Sequence, residues 1–95
     1  MAWEIIFSAA AEKALGKLSV QEARRILAFL DQRVRPLEDP RAIGEALRGT
    51  LAGFWKYRVG DYRIIAHIED GKLRILVLTI GNRREVYKRG VNLTP

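Results

Sequence analysis

Hydrophobic and polar positions change their period near the middle of the chain. Trp3 to Phe7 is short, apolar and rich in Ile and aromatics, which predicts a strand. Ser8 stands before an Ala-rich run, Ala9 to Leu18, that reads as a short helix capped by the serine hydroxyl. Ser19-Val20-Gln21-Glu22 has the form of a capping box, with Ser19 as N-cap and Glu22 three residues on. The helix it opens places Ala23, Ile26, Leu27, Leu30 and Val34 on one face, with Arg24, Arg25, Asp31 and Gln32 mostly on the other. Pro36 ends it, because the residue before a proline resists helical geometry. The two helices are joined so closely that an antiparallel hairpin is expected.

Residues 37–50 carry Pro40, Gly44 and Gly49 and read as a loop with room for one helical turn. After Gly53 the period becomes that of strands: Phe54 to Val59, then Gly60-Asp61, then Tyr62 to Glu69. Asp70-Gly71 is a two-residue hairpin signal of the type I′ kind. Lys72 to Ile80 follows, with Leu73, Ile75 and Val77 on one face and Leu76, Leu78 and Ile80 on the other. A strand apolar on both faces belongs in a sheet interior, and Gly81 breaks it. Residues 86–89 add a short strand or a helical turn. The expected fold is α+β, one domain over residues 1–95: an antiparallel sheet with an N-terminal helical hairpin on one face. The first strand joins the sheet, but its partner is not readable from the pattern.

Composition narrows the function classes. The chain has no cysteine, which excludes disulfides, thiolate metal sites and cysteine nucleophiles. No stretch approaches the roughly 18 apolar residues of a membrane span, and Met1-Ala2-Trp3-Glu4 carries no secretion signal, so a cytoplasmic protein without a membrane partner is expected. The net charge is +6, and it is one-sided. Residues 1–47 hold 7 Lys/Arg and 7 Asp/Glu; residues 48–95 hold 10 and 4. Such a field gathers polyanions at one surface.

Strand alternation sorts the basic residues. Lys56 and Arg58 share a face, as do Arg63, Ile65 and His67 on the next strand. With a tight turn at Gly60-Asp61, Lys56, Arg58 and Arg63 converge on the face away from the helices, and Arg83, Arg84 and Tyr87 follow the last strand. Arginines suit a phosphodiester: the planar fork matches phosphate oxygens and stabilises charge growing on a pentavalent phosphorus. Arginine is a poor base near neutrality, so another group must move the proton. Tyr87, His67, Glu85 and Asp61 are the candidates. Bland readings stand beside these. Lys56 and Arg58 also fit a solvated strand face, Tyr87 a packed aromatic, and Trp55 and Tyr57 fit core better than base stacking. One histidine without cysteine argues against zinc, and Asp61, Glu69 and Asp70 sit at turns rather than in a magnesium cluster. No cofactor is expected.

The chain resembles the RelE/ParE toxin superfamily, and within it the RelE branch. The resemblance spans nearly the whole sequence. It rests on Ala46-Leu47-Arg48-Gly49 before the sheet, the basic strand Lys56-Tyr57-Arg58, the strand start Gly60-Asp61-Tyr62-Arg63, and Ile80-Gly81-Asn82-Arg83-Arg84-Glu85-Val86-Tyr87. It implies a toxin of a toxin–antitoxin pair that cleaves mRNA in the ribosomal A site, without a metal, by attack of the 2′-hydroxyl. Its implied partners are a cognate antitoxin and the ribosome with its mRNA. Lys56 and Arg58 match the basic pair that holds RNA and assists proton transfer, Arg63 the arginine on the scissile phosphate, and Arg83 the arginine that supports the transition state. Tyr87 matches the tyrosine that stacks on the base or orients the nucleophile. Arg48, Arg84 and Lys88 join Lys56 and Arg58 as RNA-binding candidates. Arg58 stands where a lysine is familiar, which gives a better phosphate fork and a poorer proton carrier. A ParE-like inhibitor of DNA gyrase and a non-catalytic binding module of the same fold remain open alternatives.

Overall fold

The computed structural model describes residues 3–84. Strand β1 (Glu4–Phe7) leads into α1 (Ala9–Gly16) and α2 (Val20–Phe29), and α2 continues through a π-helical turn at Leu30–Val34. The expected caps are in place. Ser8 Oγ accepts the Ala11 N–H at 3.1 Å, and Ser19 Oγ accepts the Glu22 N–H at 3.2 Å while its hydroxyl meets the Glu22 carboxylate at 3.0 Å. Ile26, Leu30 and Val34 are buried as their spacing predicts. Leu27 is not: it stays 42% exposed, because it rims a groove beside β1 instead of entering the core.

The segment expected to be a loop carries more structure than its composition suggests. It contains a 3-10 turn (Pro40–Ile43), a two-residue strand β2 (Glu45–Ala46) and a second 3-10 turn (Gly49–Leu51). Then come β3 (Trp55–Val59), β4 (Tyr62–Glu69) and β5 (Arg74–Asn82). The sheet order is β1-β5-β4-β3-β2. Four strands form an antiparallel meander, and β1 adds to β5 in parallel, with Ile5 opposite Ile75 and Phe7 opposite Val77. The apolar strand β5 is therefore interior, as its two apolar faces require.

Three local expectations are corrected. The β4–β5 connection is a 3-10 turn at Asp70–Lys72 followed by Leu73 in the left-handed region, φ 49°, not a two-residue turn. Asp70 is recruited there by Arg41, whose two terminal nitrogens reach its carboxylate at 3.0 and 2.6 Å. Gly81 does not break β5, which runs on to Asn82. Finally, β5 does not keep one parity. Ala66 pairs with Val77 but Ile65 pairs with Thr79, so Leu78 is an extra residue, a β-bulge. Beyond it Ile80 joins Ile75 and Val77 on the helix side, opposite Ile64.

The core lies between the hairpin and this side of the sheet: Ile26, Leu30 and Val34 against Tyr57, Val59, Ile64, Ala66, Ile68, Ile75, Val77 and Ile80. Ser8 fastens the layers. Besides capping α1, its hydroxyl donates to the bulged Leu78 carbonyl at 2.7 Å, and it is 3% exposed. Ser8→Ala removes the cap and orphans that carbonyl, so it should cost about 1–2 kcal/mol. A urea midpoint unchanged from the parent would contradict this.

Candidate nucleic-acid interface

The turn at Gly60-Asp61 is tight, with Gly60 at φ 59°. Its consequence is that Arg58 lies directly opposite Arg63, and Lys56 opposite Ile65. Tyr57 and Val59 point to the core, so Lys56 and Arg58 take the face away from the helices, joined by Arg63, Ile65 and His67. The expected convergence of Lys56, Arg58 and Arg63 is present. Arg63 is 8% exposed, and its Nη1 donates to the Gly60 and Tyr62 carbonyls, each at 3.0 Å. The turn thus anchors the guanidinium, and its remaining N–H groups bond to no described residue.

Arg83 reaches this face through the bulge. Gly81 is opposite Arg63, and the Arg83 N–H donates to the Asp61 carbonyl at 2.8 Å, which extends the ladder one rung past β5. Strand alternation then assigns Arg83 to the Arg63 side. Glycine at 81 leaves that side clear of a side chain opposite Arg63. Arg84 is exposed just beyond, its N–H bonded to Asn82 Oδ1 at 3.0 Å. Arg48 is exposed after β2, before the Gly49–Leu51 turn, and among the described residues no ion pair ties it to the cluster. Tyr87, Glu85 and Lys88 lie outside the described residues.

Sequence reasoning missed Glu45. It sits on β2 opposite Lys56, and its carboxylate lies 3.6 Å from Lys56 Nζ and 3.6 Å from Arg58 Nη2. Among the described residues the cluster of Lys56, Arg58 and Arg63 therefore holds one carboxylate and keeps a surplus of positive charge. Only the pairing register could have exposed this residue, since a two-residue strand has no periodicity to read. His67 is exposed on the same face, with its ring 5.8 Å from Phe54 in an edge arrangement. Among the described residues no group of three or more His, Cys, Asp or Glu side chains could hold a metal ion. No helix among them is long and apolar enough to cross a membrane.

Trp55 and Tyr57 divide. Trp55 is half-buried, with the Arg41 guanidinium 5.8 Å from its ring centre. Tyr57 is fully buried, stands 6.1 Å from the Phe29 ring and donates its hydroxyl to the Pro40 carbonyl. It is core and unavailable for stacking on a base. Burial pushes its phenol up to about 12.

Residues 5–87 match the family described as ParE toxin of type II toxin–antitoxin system. The toxin RelG of Mycobacterium tuberculosis is 27% identical over 89 residues, covering 94% of this chain and all of RelG. The fold is similar to the toxin–antitoxin complex RelBE2 from the same organism, with a TM-score of 0.80 and 25% identity over 90% of this chain and 95% of that one. A substituted form of Escherichia coli toxin RelE, solved with a peptide of its antitoxin, is similar over the full length of both chains at a TM-score of 0.68 and 25% identity.

The buried phenol generates a pH prediction. A tyrosine raised in the fold favours folding while neutral, so its contribution is complete below the unfolded pKa of about 10 and is lost as pH climbs to about 12. Absorbance titration at the phenolate band should show a phase near pH 12 that Tyr57→Phe removes. Its persistence in that variant would assign the phase elsewhere.

Proposed function

Because the chain belongs to the ParE toxin family of type II toxin–antitoxin systems, with RelG and RelE toxins among its relatives, we propose that it is an endoribonuclease that cuts mRNA at the ribosomal A site. The domain spans residues 1–95, acts in the cytoplasm where that substrate is, and is held inactive by a cognate antitoxin. The observation that carries this reading is the face that Lys56, Arg58 and Arg63 share, with the Glu45 carboxylate beside Lys56 and Arg58.

Lys56 and Arg58 hold the RNA backbone, with Arg48, Arg84 and Lys88 as outer contacts. The 2′-hydroxyl oxygen attacks the adjacent phosphorus, its proton leaves to a base, and the bond to the 5′-oxygen breaks. The products are a 2′,3′-cyclic phosphate and a 5′-hydroxyl. Arg63 and Arg83 stabilise the charge on the phosphorane oxygens. Glu45 supplies the proton acceptor that a cluster of arginines lacks, and a cationic neighbour, Lys56, can return a proton to the leaving oxygen. Tyr87 stacks on the base or orients the nucleophile. No metal is required. The ribosome orders the substrate, which substitutes positioning for a stronger base.

A second reading is favoured by one observation: the matching family is described by ParE rather than RelE. It makes the chain a protein inhibitor of DNA gyrase that has no chemical use for Arg63, Arg83 and Tyr87.

Induced expression should arrest growth and yield mRNA ends that primer extension places within codons during in vitro translation. Arg83→Ala or Tyr87→Ala should relieve the arrest while the protein stays folded, with cleavage slowed about 10²–10³-fold for the arginine. Full toxicity in both variants would sink the site. Intact mRNA together with a DNA-damage response would transfer the assignment to gyrase. Glu45→Gln should move binding and chemistry in opposite directions. Binding of an uncleavable RNA should tighten as an internal anion disappears, while cleavage falls by about 10²–10⁴-fold. Slower cleavage with weaker binding would make Glu45 a binding residue instead.

A further inference from the structure

Strand β2 covers only half of β3. Its two residues pair with Trp55 and Lys56, so that among the described residues the edge from Tyr57 to Val59 has no strand beside it. A groove of about 480 Å³ opens there, between this edge and α2 with its π-helical turn. Arg25, Arg33 and Arg58 line it with Ala28, Phe29 and Gly60, and among the described residues no acidic one does.

Two of these arginines are held in place. An added Cβ on Gly60 would meet Arg25 Nη1 at 2.8 Å and its guanidinium carbon at 3.2 Å, so the group packs against the bare glycine. The Arg33 guanidinium carbon stands 5.9 Å from the Phe29 ring centre, a cation–π contact. Among the described residues neither Arg25 nor Arg33 forms an ion pair, whereas Arg35, Arg41, Arg58 and Arg74 do. Glu22 and Asp61 line the next cavity beyond Arg25, and Glu45 reaches Arg58 at 3.6 Å from the side of the basic face. Arg58 belongs to both surfaces: it faces the phosphate cluster with Lys56 and Arg63, and it forms one wall of this groove.

We propose that Arg25 and Arg33, continuing from Arg58, form a phosphate track that carries the single-stranded RNA flanking the cleavage point around the open edge of β3 and onto α2. The proposal rests on the ribonuclease reading. It follows from charge and continuity: two guanidiniums packed on Gly60 and Phe29, no carboxylate among the described residues that line the groove, and one arginine shared with the cluster that holds the scissile phosphate. Arginine forks match successive backbone phosphates without reading the bases, so the track raises affinity and leaves sequence choice to the site.

The test compares two fully 2′-O-methylated RNAs, which cannot be cut, of about 4 and about 12 nucleotides, sizes that span typical single-strand sites. Fluorescence anisotropy is read from low to moderate KCl. The intact protein should bind the longer RNA more tightly. Arg25→Gln/Arg33→Gln should lose about tenfold against the longer RNA, hold within about twofold against the shorter one, and lower the salt slope by about 1.4 for two phosphate contacts. Arg33→Gln alone, which leaves the Gly60 turn untouched, should give about half that change in slope. Circular dichroism and melting temperature confirm that each variant is folded. A double variant with the parent's length dependence and slope overturns the track and leaves the ribonuclease reading standing. Equal affinity of the parent for both lengths also overturns it. No binding of either RNA overturns the track and leaves the ribonuclease reading to the mapping of mRNA ends during in vitro translation, where the ribosome orders the substrate. Loss of antitoxin binding with RNA affinity unchanged overturns the track and assigns the groove to an acidic protein partner.

Discussion

One extra residue in β5 determines what the two faces of the sheet can do. Side chains alternate along a strand, so a shift of one position exchanges the faces for every residue beyond it. Without the bulge at Leu78, Ile80 would turn away from the core, and the Gly81 and Arg83 side would turn into it. With the bulge, Ile80 completes the helix-side core and the ladder delivers Gly81 opposite Arg63. The extra carbonyl that this leaves is not wasted in a dry interior, because Ser8 donates to it from the start of α1. A single buried serine therefore links the N-terminal helix to the geometry of the basic face.

That basic face works against the stability of the fold. Like charges directly opposite each other on neighbouring strands are destabilising, and Arg58 and Arg63 form such a pair. Glu45 offsets part of the repulsion, and the Gly60 and Tyr62 carbonyls satisfy Arg63. At 3.6 Å the Glu45 contacts are loose, and the Glu45 carboxylate is more than half exposed, so the pairs add little stability.

Much of this was legible because it is local. Caps at Ser8 and Ser19, the buried stripe of α2, the Gly60-Asp61 turn and the shared face of Lys56 and Arg58 all follow from spacings of a few residues. The two-sided apolar character of β5 placed it in the interior without naming its neighbours. The rest depends on pairing between distant segments. The parallel docking of β1 on β5 joins Ile5 to Ile75, a partnership no short window contains. The bulge is visible only when Ile65 and Ala66 are matched to Thr79 and Val77. Glu45 became a member of the site only through the register of β2, and Leu27 left the core because the groove beside β1 is open. Leu73 adopts a left-handed backbone two residues after the glycine that composition favours for it.

The uncovered half of β3 has a consequence for how copies of this protein behave toward one another. A bare strand edge is a template for another chain's strand, and long, flat, apolar edges lead to aggregation. Here the bare stretch is three residues long, Arg58 guards it from one face, and Arg25 and Arg33 crowd it from the other. A second copy approaching in register would bring the same cations into contact across the seam. Among the described residues these cations, rather than a covering strand, stand against polymerisation through that edge.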